Sequence, residues 1–122
     1  MIQVESKLLV ADNSGAKLVS CIKILGGSKK KYAFIGDLIK VSIKKCLFKS
    51  KVKKGDILNA VLIRTKKNFC RLDGVCFKFY NNYVVLLNNK LEPIASRIIG
   101  PIPRDLKFSK FYKLLSLSSD IF

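Results

Sequence analysis

After the pair Gly36-Asp37 the chain alternates strictly: Ile39, Val41 and Ile43 are apolar, and Lys40, Ser42 and Lys44 between them are polar. A period of two sends successive side chains to opposite faces of an extended strand, so one face is buried and the other wet. The wet face here is lysine, which lets a strand carry fold and partner contact together. Similar signals run over residues 7–10, 17–25, 57–66, 75–80 and 83–87. Turn residues separate them: Asn13-Ser14-Gly15 and Gly26-Gly27-Ser28 are small-residue turns, Gly55-Asp56 opens a strand, and Asp73-Gly74 marks a hairpin. Five or six short strands without intervening helices predict a mainly β fold, a small closed or nearly closed barrel whose closure removes exposed edges.

The character changes at Pro93. Gly100, Pro101 and Pro103 break regular structure, and Arg104-Asp105-Leu106 predicts one helical turn. Residues 108–117 predict a helix with Phe111, Leu114 and Leu115 on one face and Lys107, Lys110 and Lys113 facing out. The expected organisation is a single domain over 1–122, with the barrel in 1–92 and a C-terminal loop with short helices in 93–122.

Charge narrows the function. Lys and Arg number 24 against 8 Asp and Glu, a formal balance of +16. Self-repulsion of that size calls for an anionic partner, and nucleic acid rewards it, because each neutralised phosphate releases condensed counterions. A membrane is not expected as partner, since the lysines are not gathered on one amphipathic helix and no apolar run is long enough to span a bilayer. Asp12, Asp37, Asp56 and Asp73 each adjoin Gly or Asn, which is turn chemistry. The chain has no His, which removes the commonest general base and neutral metal ligand. An enzyme using Asp37 or Asp56 as base would lack a partner acid. No cofactor, metal or small-molecule substrate is expected. Cys21, Cys46, Cys70 and Cys76 lack the close spacing of a zinc knuckle or redox dithiol, so each reads as a small apolar residue in or near a strand. A disulfide framework is not expected, because Met1-Ile2-Gln3-Val4-Glu5 enters a strand pattern without a secretory signal.

The basic residues gather in three stretches: Lys29-Lys30-Lys31-Tyr32, then Lys44-Lys45 with Lys49, Lys51, Lys53 and Lys54, then Arg64 with Lys66, Lys67 and Arg71. Adjacent lysines on an extended loop can reach successive phosphates of an RNA backbone. Among the aromatics, Phe77 and Phe79 read as core, whereas Tyr32, Phe48 and Phe69 sit in basic loops where they could meet unpaired bases.

Longer patterns carry a resemblance. Val10-Ala11-Asp12-Asn13-Ser14-Gly15-Ala16 is followed by Cys21-Ile22-Lys23-Ile24-Leu25-Gly26-Gly27 and Tyr32-Ala33. Gly36-Asp37, Lys51-Val52-Lys53-Lys54-Gly55-Asp56 and Val61-Leu62-Ile63-Arg64-Thr65-Lys66-Lys67 come next. Within this order Ala60-Val61-Leu62-Ile63 stands a nine-residue interval before Asp73-Gly74, with Phe79, Asn82, Val85 and Leu86 beyond. Ser96-Arg97-Ile98-Ile99-Gly100-Pro101, Arg104-Asp105-Leu106 and Lys110-Phe111 complete the set. End to end, the chain resembles the family of the fourteenth protein of the large ribosomal subunit, in its bacterial and organellar form.

The resemblance implies a five-stranded barrel with a short C-terminal helical part and a structural role in translation, without catalysis. It implies that the basic stretches, Lys23 included, hold large-subunit ribosomal RNA, and that part of the surface bridges to small-subunit RNA. Neighbouring large-subunit proteins pack against such a barrel, and a ribosome-silencing factor docks on the C-terminal region, here at Ser96, Arg97 and Lys113. Arg104 joins these as a candidate protein or bridge contact. A free single-strand-binding barrel is the competing expectation, separated from the first by whether the chain is found in the large subunit. The end, Leu117-Ser118-Ser119-Asp120-Ile121-Phe122, departs from the family's usual Ala-Pro-acid tail, and two features of composition matter besides. Lys stands almost everywhere that Arg could, so binding leans on point charge more than on the bidentate fork of a guanidinium. The bias towards Lys, Ile, Asn, Phe and Leu suggests an AT-rich gene, mitochondrial first, then plastid, then that of an AT-rich bacterium.

Overall fold

A computed structural model describes residues 1–108 and 110–121. Its strands, in chain order, are β1 (Lys7–Val10), β2 (Ala16–Ile24), β3 (Leu38–Cys46), β4 (Ile57–Arg64), β5 (Phe69–Cys70), β6 (Cys76–Phe77), β7 (Tyr83–Leu87), β8 (Ile98–Ile102) and β9 (Ser118–Ile121). The order β1-β2-β3-β4-β7 closes on itself as a five-stranded barrel. Neighbours are antiparallel except at the seam, where β1 and β7 run parallel with Leu9 opposite Tyr83 and Val10 opposite Val84. The β2–β3 ladder carries register shifts near Leu18 and Lys23, which bend these nine-residue strands around the barrel.

The predicted alternation holds in β3, where Ile39, Val41 and Ile43 are buried and Lys40 and Lys44 exposed. β4 and β7 behave differently. Ala60, Leu62, Val84 and Leu86 belong to the core shared with β2 and β3, while Val61, Ile63, Val85 and Leu87 belong to a second core with Ile98, Ile102, Leu106, Phe111 and Leu114. Their unbroken apolar runs thus serve two faces, one inside the barrel and one beneath the C-terminal segment. Baring the four outward side chains would forfeit on the order of 10 kcal/mol at about 1.5–3 kcal/mol each, as much as a whole domain's stability. The C-terminal segment is therefore an obligatory cover. The opposite wall, β2 and β3, has no such cover among the described residues and is faced with Lys17, Lys23, Lys40, Lys44 and Lys45, all exposed.

Three expectations need correction. The strand over 75–80 narrows to β6, which pairs only with β5 in a hairpin outside the barrel. β4 and β7 pair directly, down to Arg64 opposite Tyr83, and leave no opening for another stave. The Asp73-Gly74 turn is as expected: Asp73 Oδ1 accepts the Val75 N–H at 3.0 Å. Phe77 and Phe79 accordingly stay out of the barrel core, half-buried, with Phe77 meeting Phe79 edge-on at 5.7 Å and Phe69 at a tilt at 5.2 Å between centroids. Finally, Cys70 and Cys76 are exposed and joined as a disulfide. They lie symmetrically about Asp73, so the hairpin register sets them opposite each other. Cys21, by contrast, is the small buried residue anticipated, and burial pushes its thiol pKa up.

The C-terminal helix is also shorter than its periodicity suggests. A 3₁₀ turn covers Arg104–Phe108 and α1 only Lys113–Leu117, with Ser109 outside the described residues. Tyr112 at the N-cap supplies no side-chain hydrogen bond, and an uncapped helix of this length is marginal. Beyond it the chain turns extended as β9 and pairs parallel with β8, Ile98 opposite Ser118 and Ile102 opposite Ile121. Phe111 and Leu114 are buried and Leu115 half-buried, while Lys107, Lys110 and Lys113 face out, as expected.

Candidate nucleic-acid interface

Strand direction divides the three basic stretches between two ends of the barrel. At the end where Ile2 bridges to Ala33, the β2–β3 loop brings Lys29, Lys30, Lys31 and Tyr32, and the chain leaving β4 brings Lys66 and Lys67. Lys67 Nζ lies 3.8 Å from Met1 Sδ, which places the second group beside the first. Lys44, Lys45, Lys49, Lys51, Lys53 and Lys54 belong to the other end, beside Ser14. The nine residues of β3 separate the ends by roughly 26 Å of strand. Lys23 opposite Lys40, with Lys17 and Lys44, forms a lysine track along the uncovered wall between them. Lys17 was not singled out from the sequence as a contact, and Lys40 was read only as part of the wet face of its strand.

The Ser14 end is tightly built. Asp12, 6 % exposed, accepts the Ser14 N–H at 3.1 Å and its hydroxyl at 2.5 Å through Oδ1, and the Leu86 N–H at 3.1 Å through Oδ2. One carboxylate thereby fixes the β1–β2 turn to β7. The turn in turn holds the β3–β4 loop, through Leu47 N–H to Gly15 O at 2.9 Å and Lys51 N–H to Ser14 O at 3.1 Å. Gly15 sits at φ +99°, and a Cβ there would overlap Ser50, so only glycine allows this approach. Val52, 4 % exposed, inserts into the barrel core and pins the middle of the loop. Lys49, Lys51, Lys53 and Lys54 project from it, exposed.

The carboxylates considered as bases are structural. Asp37 accepts the Phe34 N–H at 2.8 Å and pairs with Lys30 at 2.9 Å, and Asp56 accepts the Lys53 N–H at 3.0 Å. Among the described residues no cluster of His, Cys, Asp and Glu could hold a metal, and no helix is long and apolar enough to cross a membrane.

Arg64 does not project into solvent with the lysines it was grouped with. It is 7 % exposed, donates from Nε to Pro101 O at 2.8 Å and from Nη2 to Ile99 O, and stacks over the Tyr83 ring at 4.5 Å. Burial draws its pKa below the usual guanidinium value, against the opposing influence of Tyr83. Its task is to clamp β8 onto β4. Arg71 is engaged as well, with Asp105 at 2.9 Å and over the Phe77 ring at 4.8 Å.

A family model for ribosomal protein L14p/L23e matches residues 1–122, the whole chain. The chain belongs to the ribosomal protein L14p/L23e family. As a member of L14p/L23e it is a constituent of the large ribosomal subunit, with a structural rather than catalytic role in translation. The C-terminal residues singled out for protein contact in this L14p/L23e chain fall in two places. Ser96 and Arg97 are exposed beside the β1–β2 turn, where the Asn13 side chain donates to Ser96 Oγ at 3.1 Å and accepts the Arg97 N–H at 3.3 Å. Lys113 shares a shallow depression with Glu92, Pro93 and Ala95, on the same side. Arg104 lies apart, 3.9 Å from Asp73 on the β5–β6 hairpin.

Proposed function

We propose that this L14p/L23e chain is anchored in the large subunit by ribosomal RNA gripped at both lysine-rich ends of the barrel and along the lysine track between them. One observation carries the reading: among the described residues, none of the ammonium groups of Lys44, Lys45, Lys49, Lys51, Lys53 and Lys54 meets a carboxylate. Charge concentrated on a loop already fixed by Val52 and the Ser14 turn is suited to phosphates rather than to internal pairing. A body with two basic ends can also touch two RNA segments at once, which supports a bridge to small-subunit RNA. The covered face, with Ser96, Arg97 and Lys113, is the side for neighbouring ribosomal proteins and for a silencing factor. The high content of Lys, Ile, Asn, Phe and Leu, read as the mark of an AT-rich gene, supports a mitochondrial ribosome.

Replacing Lys51, Lys53 and Lys54 together with Gln tests the anchor. The slope of log affinity for large-subunit RNA against log salt should flatten by about 2–3, at about 0.7–0.9 per lost phosphate contact. An unchanged slope removes this loop from the interface. Recovery of the native chain only outside purified large subunits would overturn the assignment as a whole.

A further inference from the structure

Phe48 is 100 % exposed at the crown of the β3–β4 loop. Isolated exposed apolar side chains are ordinary on protein surfaces, so exposure alone decides nothing. Its mounting is what singles it out. The arch from Leu47 to Ser50 is tied at both feet, by the backbone bonds of Leu47 to Gly15 and of Lys51 to Ser14, and Ser50 Oγ donates to Val52 O just beyond. Val52 is locked in the core. The ring is thus held out into solvent by a loop whose ordering cost is met before any ligand arrives. Lysines flank it on both sides, Lys44 and Lys45 before and Lys49 and Lys51 after, all exposed.

We propose that Phe48 is a stacking platform for one unpaired RNA base, whose flanking phosphates are held by the adjacent lysines. This rests on the RNA-binding reading and adds to it a specific ligand, an unstacked nucleobase in a loop, bulge or single strand. A paired base in an A-form helix has both faces covered by its neighbours and offers nothing for the ring to stack upon, whereas a splayed base presents a free π face. An apolar pocket on a protein could also receive a phenyl ring, but it would need an acidic rim to match four lysines. RNA supplies the aromatic plane and the countercharge in one ligand. Stacking of this kind tolerates any base, so it adds affinity without sequence choice.

The chain has no Trp, so Phe48→Trp introduces a sole indole at the site. The full-length variant is titrated with protein-free large-subunit RNA and, separately, with a fully paired RNA duplex. Saturable quenching by the ribosomal RNA and little change with the duplex is expected. In parallel, Phe48→Ala should lose about 5- to 100-fold in affinity with an unchanged salt slope, and Phe48→Tyr should retain binding. Because the ring touches no core residue, these variants fold. Unquenched indole together with wild-type affinity of Phe48→Ala, while the RNA still binds with a steep salt slope, overturns the platform and leaves the RNA-binding reading intact. Quenching only on addition of another large-subunit protein overturns it in favour of a protein contact. Failure of the native chain to bind ribosomal RNA at all defeats both.

Discussion

Replacing Arg64 by Ala should detach the C-terminal cover from the barrel. The guanidinium makes two charge-assisted hydrogen bonds, to the carbonyls of Pro101 and Ile99, and rests on Tyr83. Bonds from a charged donor contribute about 1.5–3 kcal/mol each, and a partly desolvated cation–π contact about 1–2 kcal/mol. Water entering the truncated site would re-solvate part of the two carbonyls, so we take the lower half of the sum and expect a loss of about 4–6 kcal/mol. At roughly 4 °C per kcal/mol, that lowers the melting temperature by about 16 °C or more. Urea denaturation gives the global value, and amide exchange locates it: Ile99 N–H, bonded to Ala11 O at 2.7 Å, should lose protection before the amides of β3. Arg64→Lys keeps the charge but not the fork and should recover less than half of the loss. Wild-type stability in Arg64→Ala, combined with a flatter salt dependence of RNA binding, would show that the residue meets phosphate after all and that the clamp is wrongly drawn.

Other outcomes follow from the same geometry. Gly15→Ala should cost at least about 1–2 kcal/mol in thermal unfolding, because the positive φ and the overlap with Ser50 both penalise a Cβ; a change below about 0.5 kcal/mol would mean that the turn and loop are not in contact. Alkylation of the native, unreduced protein followed by peptide mapping should label Cys46 and leave Cys70 and Cys76 unmodified, with Cys21 reacting only on unfolding; free thiols at positions 70 and 76 would contradict the disulfide. Arg97→Glu should weaken silencing-factor binding in co-sedimentation while large subunits still assemble, and an assembly defect appearing first would make Arg97 an RNA ligand instead.

The barrel was legible because its strands obey a rule that acts locally. Alternation in β3 and continuous apolar runs in β4 and β7 each state how many faces will be covered, and the Asp residues beside glycines announced turns that the carboxylates do brace. Legibility failed where the outcome depended on a distant partner. Arg64 reads as one more basic residue before Lys66 and Lys67, and only the approach of β8 turns it inward. Cys70 and Cys76 look too far apart until the Asp73-Gly74 turn folds them together, a signal that their equal distance from Asp73 did contain. The helix over 108–117 had the right face and the right end but no capping residue, and it begins only at Lys113. For the candidate interface, sequence clustering found the lysines but not their grouping, since strand direction alone sends residues 29–32 and 66–67 to one end and 44–54 to the other.

The parallel seam between β1 and β7 also bears on the order of events at synthesis. Leu9 pairs with Leu18 of β2 early but finds its partner across the seam only when Tyr83 has been made, so the other edge of the first stave must wait for the last. At about 5–20 residues per second that delay is roughly 4–15 s. Throughout it the nascent chain shows unpaired edges on β1 and β4, and the outer face of β4 stays bare until β8 and the C-terminal cover arrive still later. The lysines of β2 and β3 emerge early by comparison. A polyanion captured by them would keep an unfinished sheet soluble during the interval in which it is least able to protect itself.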